Sequence, residues 1–236
     1  MLKFKFLFSL TVIAAMLFFT ACKKDLPIVS VTTARIKTET TTSPSGVALT
    51  FAYTYDSAGR QLTATMDTVV TVYTYATGGI TKTITLAGQN FVTTYTINTV
   101  GKVITDSRNY VYSYDINGYR TAMTYTGNGN YDSTLYTITN GNLTTAIQHQ
   151  VDAGTDNLLT TVYTYYSTID SRDYGMAALQ GSPNNNLLKT ETIVQQINGA
   201  TYTTAYSYTY SYNAQGLISQ QVRTSGSASY TTNYVY

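Results

Sequence analysis

The chain has 236 residues, with 14 Lys plus Arg, 12 Asp plus Glu, one His, one Cys, no Trp and 24 Tyr, for a formal net charge of +2. Charged residues make up 11%, against roughly a quarter in an ordinary soluble domain, and Thr and Tyr take their place. A long soluble helical protein, a strongly basic nucleic-acid binder, a multi-Cys zinc site and a disulfide framework are all excluded by these counts.

In chain order, residues 1–21 come first. Lys3 and Lys5 precede an apolar run from Phe6 to Phe19, broken only by Ser9 and Thr11, and Thr20-Ala21 leads into Cys22. A basic start, a short apolar core and small residues at a cut form the layout of a secretory signal. The run is shorter than the ~20 residues that a membrane helix needs. Phe19-Thr20-Ala21-Cys22 resembles the lipobox of bacterial lipoproteins, with Phe where Leu is usual. That resemblance implies diacylation of the Cys22 thiol, cleavage before it, acylation of the freed amine, and a bilayer as partner through several chains. Lys23-Lys24-Asp25 resembles the start of Bacteroidetes lipoproteins and implies the outer membrane, on its periplasmic or its surface side. Removing residues 1–21 leaves equal numbers of basic and acidic groups, so no net field steers an anionic partner.

Residues 22–46 read as a lipidated N-terminus and a Thr/Ser-rich tether, with Pro27, Pro44 and at most one strand near Ile28 to Ile36. Residues 47–236 read as one β domain built from a repeated hairpin. Phe51-Ala-Tyr53-Thr-Tyr55-Asp56 with Gly59-Arg60 has counterparts in Tyr110, Tyr112, Tyr114, Asp115, Gly118 and Arg120, and in Tyr206, Tyr208, Tyr210, Tyr212, Asn213 and Gly216. The glycines Gly59, Gly79, Gly101, Gly118 and Gly141 mark turns about twenty residues apart. Strict alternation of Tyr with Thr, Ser or Val makes pleated strands. Asp or Asn then bends back on the following backbone, and Gly supplies positive φ. One face of the sheet is therefore aromatic and the other hydroxylic. The expected fold is all-β: an antiparallel meander of ten to fourteen strands, forming a large curved open sheet or half-barrel.

These units resemble the YD-repeat (Rhs-like) hairpins of bacterial surface proteins, Tyr-x-Tyr-Asp-x-x-Gly-Arg. Phe51 to Arg60 fits fully, Tyr112 to Arg120 fits with one inserted residue, and the others lack the Asp or the Arg. The lipobox and degenerate Tyr-rich hairpins together resemble Bacteroidetes lipoprotein families of unknown function. From Ser167 to Lys189 the rhythm breaks; Met176 to Leu179 reads as one helical turn, stopped by Gly181 and followed by a loop at Pro183 and the Asn run.

Chemistry is sparse. Asp56 and Asp115 sit at turn positions, Asp170 and Asp173 flank Arg172, and His149 has no second His and no free Cys near it in a catalytic pattern. No phosphate loop, metal motif or cofactor signature appears. The expectation is a non-enzymatic, membrane-anchored envelope protein that binds or scaffolds a glycan or an envelope protein. Candidate contacts are Tyr53, Tyr55, Tyr110, Tyr112, Tyr114, Tyr206, Tyr208, Tyr210 and Tyr212, because a rigid Tyr stacks on a sugar at small entropic cost. The alternatives are a carrier holding a lipid-like ligand in the sheet's concavity and a hydrolase using Asp170 and Asp173. Three triplets, at Asp56, Asp67 and Asp132, resemble a Bacteroidetes O-glycosylation site at Ser57, Thr68 and Ser133.

Overall fold

The computed structural model describes residues 34–236 apart from 128, 129, 153, 171, 177, 178, 180 and 183. The leader, Cys22 and the first part of the tether lie outside the described residues. The strands are β1 Ala34–Arg35, β2 Thr38–Thr42, β3 Ala48–Tyr55, β4 Gln61–Met66, β5 Val69–Ala76, β6 Gly79–Leu86, β7 Gln89–Ile97, β8 Val103–Asp106 and β9 Tyr110–Tyr114. There follow β10 Arg120–Gly127, β11 Asn130–Thr139, β12 Asn142–Asp152, β13 Thr155–Ile169, β14 Arg172–Asp173, β15 Asn186–Ile197, β16 Ala200–Tyr212, β17 Ile218–Ser225 and β18 Ala228–Val235.

All except β1 and β14 pair antiparallel, each with its neighbour in the chain, and β18 returns to pair with β2, so the sheet closes into a barrel of sixteen strands. The expected antiparallel meander is present; the expected open sheet or half-barrel is corrected to a closed barrel. At the seam Tyr234 stands opposite Glu39, and the Thr41 and Thr232 hydroxyls are 2.8 Å apart. Closure satisfies the backbone groups of two edges that an open sheet would leave exposed. Since β2 lies within residues 22–46, read as tether, the barrel starts before Val47.

The hairpins follow the turn chemistry of their sequences. Four five-residue loops share one template: the side chain of Asp56, Asn98, Asp115 or Asn213 accepts the N–H of the residue four positions on, and its carbonyl accepts the N–H of the intervening Gly. Two-residue turns with both central residues at positive φ occur at Ala87-Gly88, Asn140-Gly141 and Asn198-Gly199. At 77–78 the turn glycine is Gly78, and Gly79, expected to serve there, is the first residue of β6. The four five-residue loops all lie at one end of the barrel, here the base. The turns at 67–68, 87–88, 198–199 and 226–227 lie at the opposite rim.

Alternation sorts the side chains. Tyr53, Tyr73, Tyr112, Tyr208 and Tyr234 point into the lumen, where they are buried or packed against buried residues. Outward positions carry hydroxyls that pair across strands, as Thr40 with Thr50, Thr54 with Thr63 and Thr164 with Thr190, at 2.8, 2.7 and 2.6 Å. The aromatic face read from the sequence is thus the inner wall and the hydroxylic face the outer one.

The base is filled. The segment between β13 and β15 turns into the lumen, and β14 pairs parallel with β1, Ala34 opposite Arg172 and Arg35 opposite Asp173. Around this plug lie two apolar clusters. Ile36, Leu187, Ile218 and Tyr234 form one; Tyr73, Ile80, Val103 and Tyr112 form the other, with Met176 and Leu179 packed on it. The expected helical turn at Met176 to Leu179 is not shown as an element: Leu179 has helical backbone and its N–H donates to Met176 O, but Ala177 and Ala178 lie outside the described residues, and β14 is the strand in the described part of the insertion.

Candidate functional site

The structure brings most of the singled-out tyrosines to the inner wall and gives their hydroxyls partners. Tyr53 donates to Glu39, Tyr55 to the Ile36 carbonyl, Tyr110 to Asp132, Tyr112 to Asp106, Tyr208 to Glu191 and Tyr210 to the Leu188 carbonyl. Tyr114 packs on the second cluster with its hydroxyl unpartnered, and Tyr212 is half-exposed. Burial, then Tyr95 and Tyr75, pushes the Tyr73 phenol up to about 12. Burial, then the charge of Asp173, raises Tyr55 to about 12 as well. Burial, then the bond to Asp106, raises Tyr112, and burial with the bond to Glu191 raises Tyr208. These rings mainly build the wall and the plugged floor.

Arg172 is the plug's central group. It donates to Asp170 at 2.6 and 2.9 Å, to Gln221 Oε1 at 2.7 Å and to the Tyr234 hydroxyl at 2.9 Å, and it stacks over Tyr210 and Tyr234. Burial works against its charge, but the bond and attraction to Asp170 outweigh that and raise its pKa. Asp173 pairs with Arg35 at 2.6 Å, and Tyr174 donates to Glu39 at 2.8 Å. Arg120 reaches the Leu179 carbonyl, Gln61 N–H bonds Gly175 O, and Ser182 N–H bonds Gly118 O. The plug is therefore tied to β2, β4, β10, β17 and β18. Asp170 and Asp173, the residues of the hydrolase reading, are each engaged by a guanidinium rather than facing one another around a free space. Among the described residues no group of three or more His, Cys, Asp or Glu could hold a metal ion.

Toward the rim the lumen is open. Leu49, Leu86, Phe91 and Tyr202 point inward from β3, β6, β7 and β16, yet are each about half-exposed. Below them Arg223 is sandwiched between Tyr206 and Tyr230, 4.6 and 4.8 Å from the ring centres. Asp106, its carboxylate wholly shielded, binds Arg108 and Tyr112; burial opposes its charge, but these bonds hold its pKa below the usual carboxylate value. Lys82, also inward, has its pKa lowered by burial and then by Arg108.

A second feature lies on the outer wall, where the tall strands β12, β13, β15 and β16 end at the rim. His149 Nε2 is 2.9 Å from Asp156 Oδ1, and the Tyr131 ring meets the imidazole edge-on, centroids 5.7 Å apart. Beside this pair a groove of about 460 Å³ is lined by His149, Asp156, Leu158, Gln196, Asn198 and Thr201, together with Gly199. Ser133 faces His149 in register across β11 and β12. Sequence reading placed His149 on a strand but missed Asp156, because the two meet across a hairpin seven residues apart.

No family model matches the chain, so the YD-repeat and lipoprotein resemblances gain no support from that comparison. No curated protein matches either. Solved structures do. A porin-like protein from Bacteroides uniformis is 18% identical over 85% of this chain and 97% of its own, with a TM-score of 0.58. A porin-like protein from Bacteroides vulgatus is 14% identical over 86% of this chain and 98% of its own, with a TM-score of 0.60. The chain is a closed antiparallel β-barrel similar to these proteins in fold.

Proposed function

We propose that this protein is a non-catalytic envelope lipoprotein, moored at the outer membrane through acylated Cys22, whose barrel stands in water as a closed-bottomed cup and binds a glycan or an envelope-protein partner. The observation that carries this reading is a plugged base combined with a threonine outer wall. A barrel wall that crosses hydrocarbon presents an apolar band about 25 Å tall between aromatic girdles, on strands of about 9–11 residues. Here Thr and Ser are the commonest outward residues, with exposed Val72, Val92, Val111, Leu135 and Ile147 scattered among them rather than gathered in a band, and while β12, β13, β15 and β16 are long, β4, β8 and β9 have only 6, 4 and 5 residues. The Bacteroides porin-like neighbours support an envelope setting; the wall and the plug argue against a conducting pore in this chain. The mature protein carrying Cys22→Ser is expected to be soluble without detergent, and the wild type to partition with membranes. Insolubility of the variant, or single-channel conductance in a planar bilayer, would overturn the reading. Protease treatment of whole cells reads which side of the membrane carries the barrel. A glycan array and a pull-down from envelope extract test the binding role, and blanks in both would count against it.

A second reading, a carrier of a lipid-like ligand, is favoured by the half-exposed Leu49, Leu86, Phe91 and Tyr202 inside the mouth. Apolar walls with a few convergent polar groups are the usual lining of a small-ligand site. Native mass spectrometry of protein purified from its own membrane tests this: co-purified lipid supports it, and a bare mass removes it.

A further inference from the structure

Thr, Ser, Ala and Val occupy most outward strand positions, whereas the rim ends of β11, β12 and β13 carry Tyr131, His149 and Asp156 side by side. The inner-wall tyrosines are spent on packing and on hydrogen bonds to carboxylates and backbone carbonyls, so a glycan contact built from them would have to displace structure. The outer groove imposes no such cost. Asp156 is 69% exposed and His149 42% by side chain, and Tyr131 is 38% exposed.

The local backbone explains why these groups converge. Strands β12, β13, β15 and β16 run 11, 15, 12 and 13 residues, longer than β11 and β17 on either side with 10 and 8. The two hairpins are laced together: Asp156 N–H donates to Asn198 Oδ1 and Asn198 N–H to Asp156 O, both at 3.2 Å. This fixes Asn198 and Asp156 at one lip of the groove. His149 is held from one side by Asp156 and from the other by Tyr131. Gln196 and Thr201 complete the lining with an amide and a hydroxyl, and Leu158 contributes an apolar patch.

We propose that this groove is a binding site for a neutral saccharide bearing vicinal hydroxyls. The chemistry selects that class. The Asp156 carboxylate accepts, the Gln196 and Asn198 amides both donate and accept, and so does the Thr201 hydroxyl, a set that matches adjacent sugar hydroxyls. Leu158 offers apolar surface to the C–H face of a sugar ring. An anionic ligand would meet the Asp156 carboxylate, and a purely apolar one would leave the polar lining without partners. The space of about 460 Å³ falls within the range of small-ligand sites. The inference rests on the binding role proposed above and assigns it to this groove; it does not rest on acylation of Cys22.

The test uses the mature full chain on an array of neutral hexose, N-acetylhexosamine and deoxyhexose oligosaccharides, followed by calorimetry on each hit. Asp156→Ala and Gln196→Ala are expected to weaken binding at least tenfold, while Tyr202→Ala, in the lumen, leaves it unchanged. Both groove positions lie at the surface, and an unaltered melting temperature verifies that the variants fold. Binding abolished by Tyr202→Ala but indifferent to Asp156→Ala and Gln196→Ala would overturn the groove assignment and leave the binding role in place. An array blank for every neutral saccharide would overturn the inference, while the membrane partition of wild type and Cys22→Ser would still report on anchoring.

Discussion

Replacing Arg172 with Met tests whether the plug is clamped by charge. The side chains of Arg172 and Asp170 are 13% and 17% exposed, so the substitution strands a shielded carboxylate. It also removes donors to Gln221 and the Tyr234 hydroxyl. Breaking a buried pair by deleting one partner costs about 3–5 kcal/mol. With a urea m-value of about 3 kcal/mol/M, the upper end of the small-protein range, that lowers the unfolding midpoint by about 1–1.7 M. The double variant Asp170→Asn/Arg172→Met should recover most of the loss, because no charge is then left unpaired. Equilibrium unfolding followed by far-UV circular dichroism and by tyrosine fluorescence gives both numbers. A midpoint for Arg172→Met within about 0.3 M of wild type, the equivalent of about 1 kcal/mol, would refute the clamp. So would a double variant less stable than the single one.

Other expectations follow from the same structure. Ile218 is fully buried in the first cluster, and Ile218→Ala should cost about 2–5 kcal/mol in the same assay. Tyr55, Tyr73 and Tyr236 have folded pKa values of about 12 against 10 unfolded. Their contribution is present in full below pH 10 and is lost as pH rises toward 12, so tyrosinate absorbance should climb steeply with unfolding in that window; a gradual rise with the fold intact would contradict it. Gly175 has φ +64, and a Cβ there would meet Gly59 O at 2.5 Å and Gln61 N at 2.9 Å. Gly175→Ala should therefore lose more than the ~1 kcal/mol expected from positive φ alone. Gly88→Ala, whose Cβ would meet nothing within 4 Å, serves as the control. The resemblance to O-glycosylation triplets predicts sugar on exposed Ser57 and Thr68 but none on Ser133, which is 8% exposed, and intact-mass analysis with peptide mapping checks this.

Local features were legible and closure was not. Alternation of Tyr with Thr or Ser in Tyr206–Tyr212 determines which side chains share a face, and Asp56, Asp115 and Asn213 with their glycines determine the base loops. Both depend on neighbours within a few residues. The pairing of Thr41 with Thr232 joins positions 191 apart, and no local pattern encodes that a sheet's first and last strands will meet. The segment around β2 misled for a related reason: a threonine run reads as a polar spacer until a partner strand is known. The insertion's charges could not be paired from the sequence because their partners Arg35, Gln221 and Tyr234 come from β1, β17 and β18, far away in the chain. Whether the tyrosines are core or surface depended on closure too, since only a closed sheet turns its aromatic face into an interior.

The seam between β2 and β18 has one more implication. The chain passes into the barrel through β1 and β2 and completes its circuit with β18 at the same, occluded extremity. The opposite extremity is made of continuous hairpin turns. Loops of that kind tolerate insertion and substitution well, so the mouth can diversify among relatives, or be lengthened by engineering, without disturbing either the closing strand pair or the stopper beneath it.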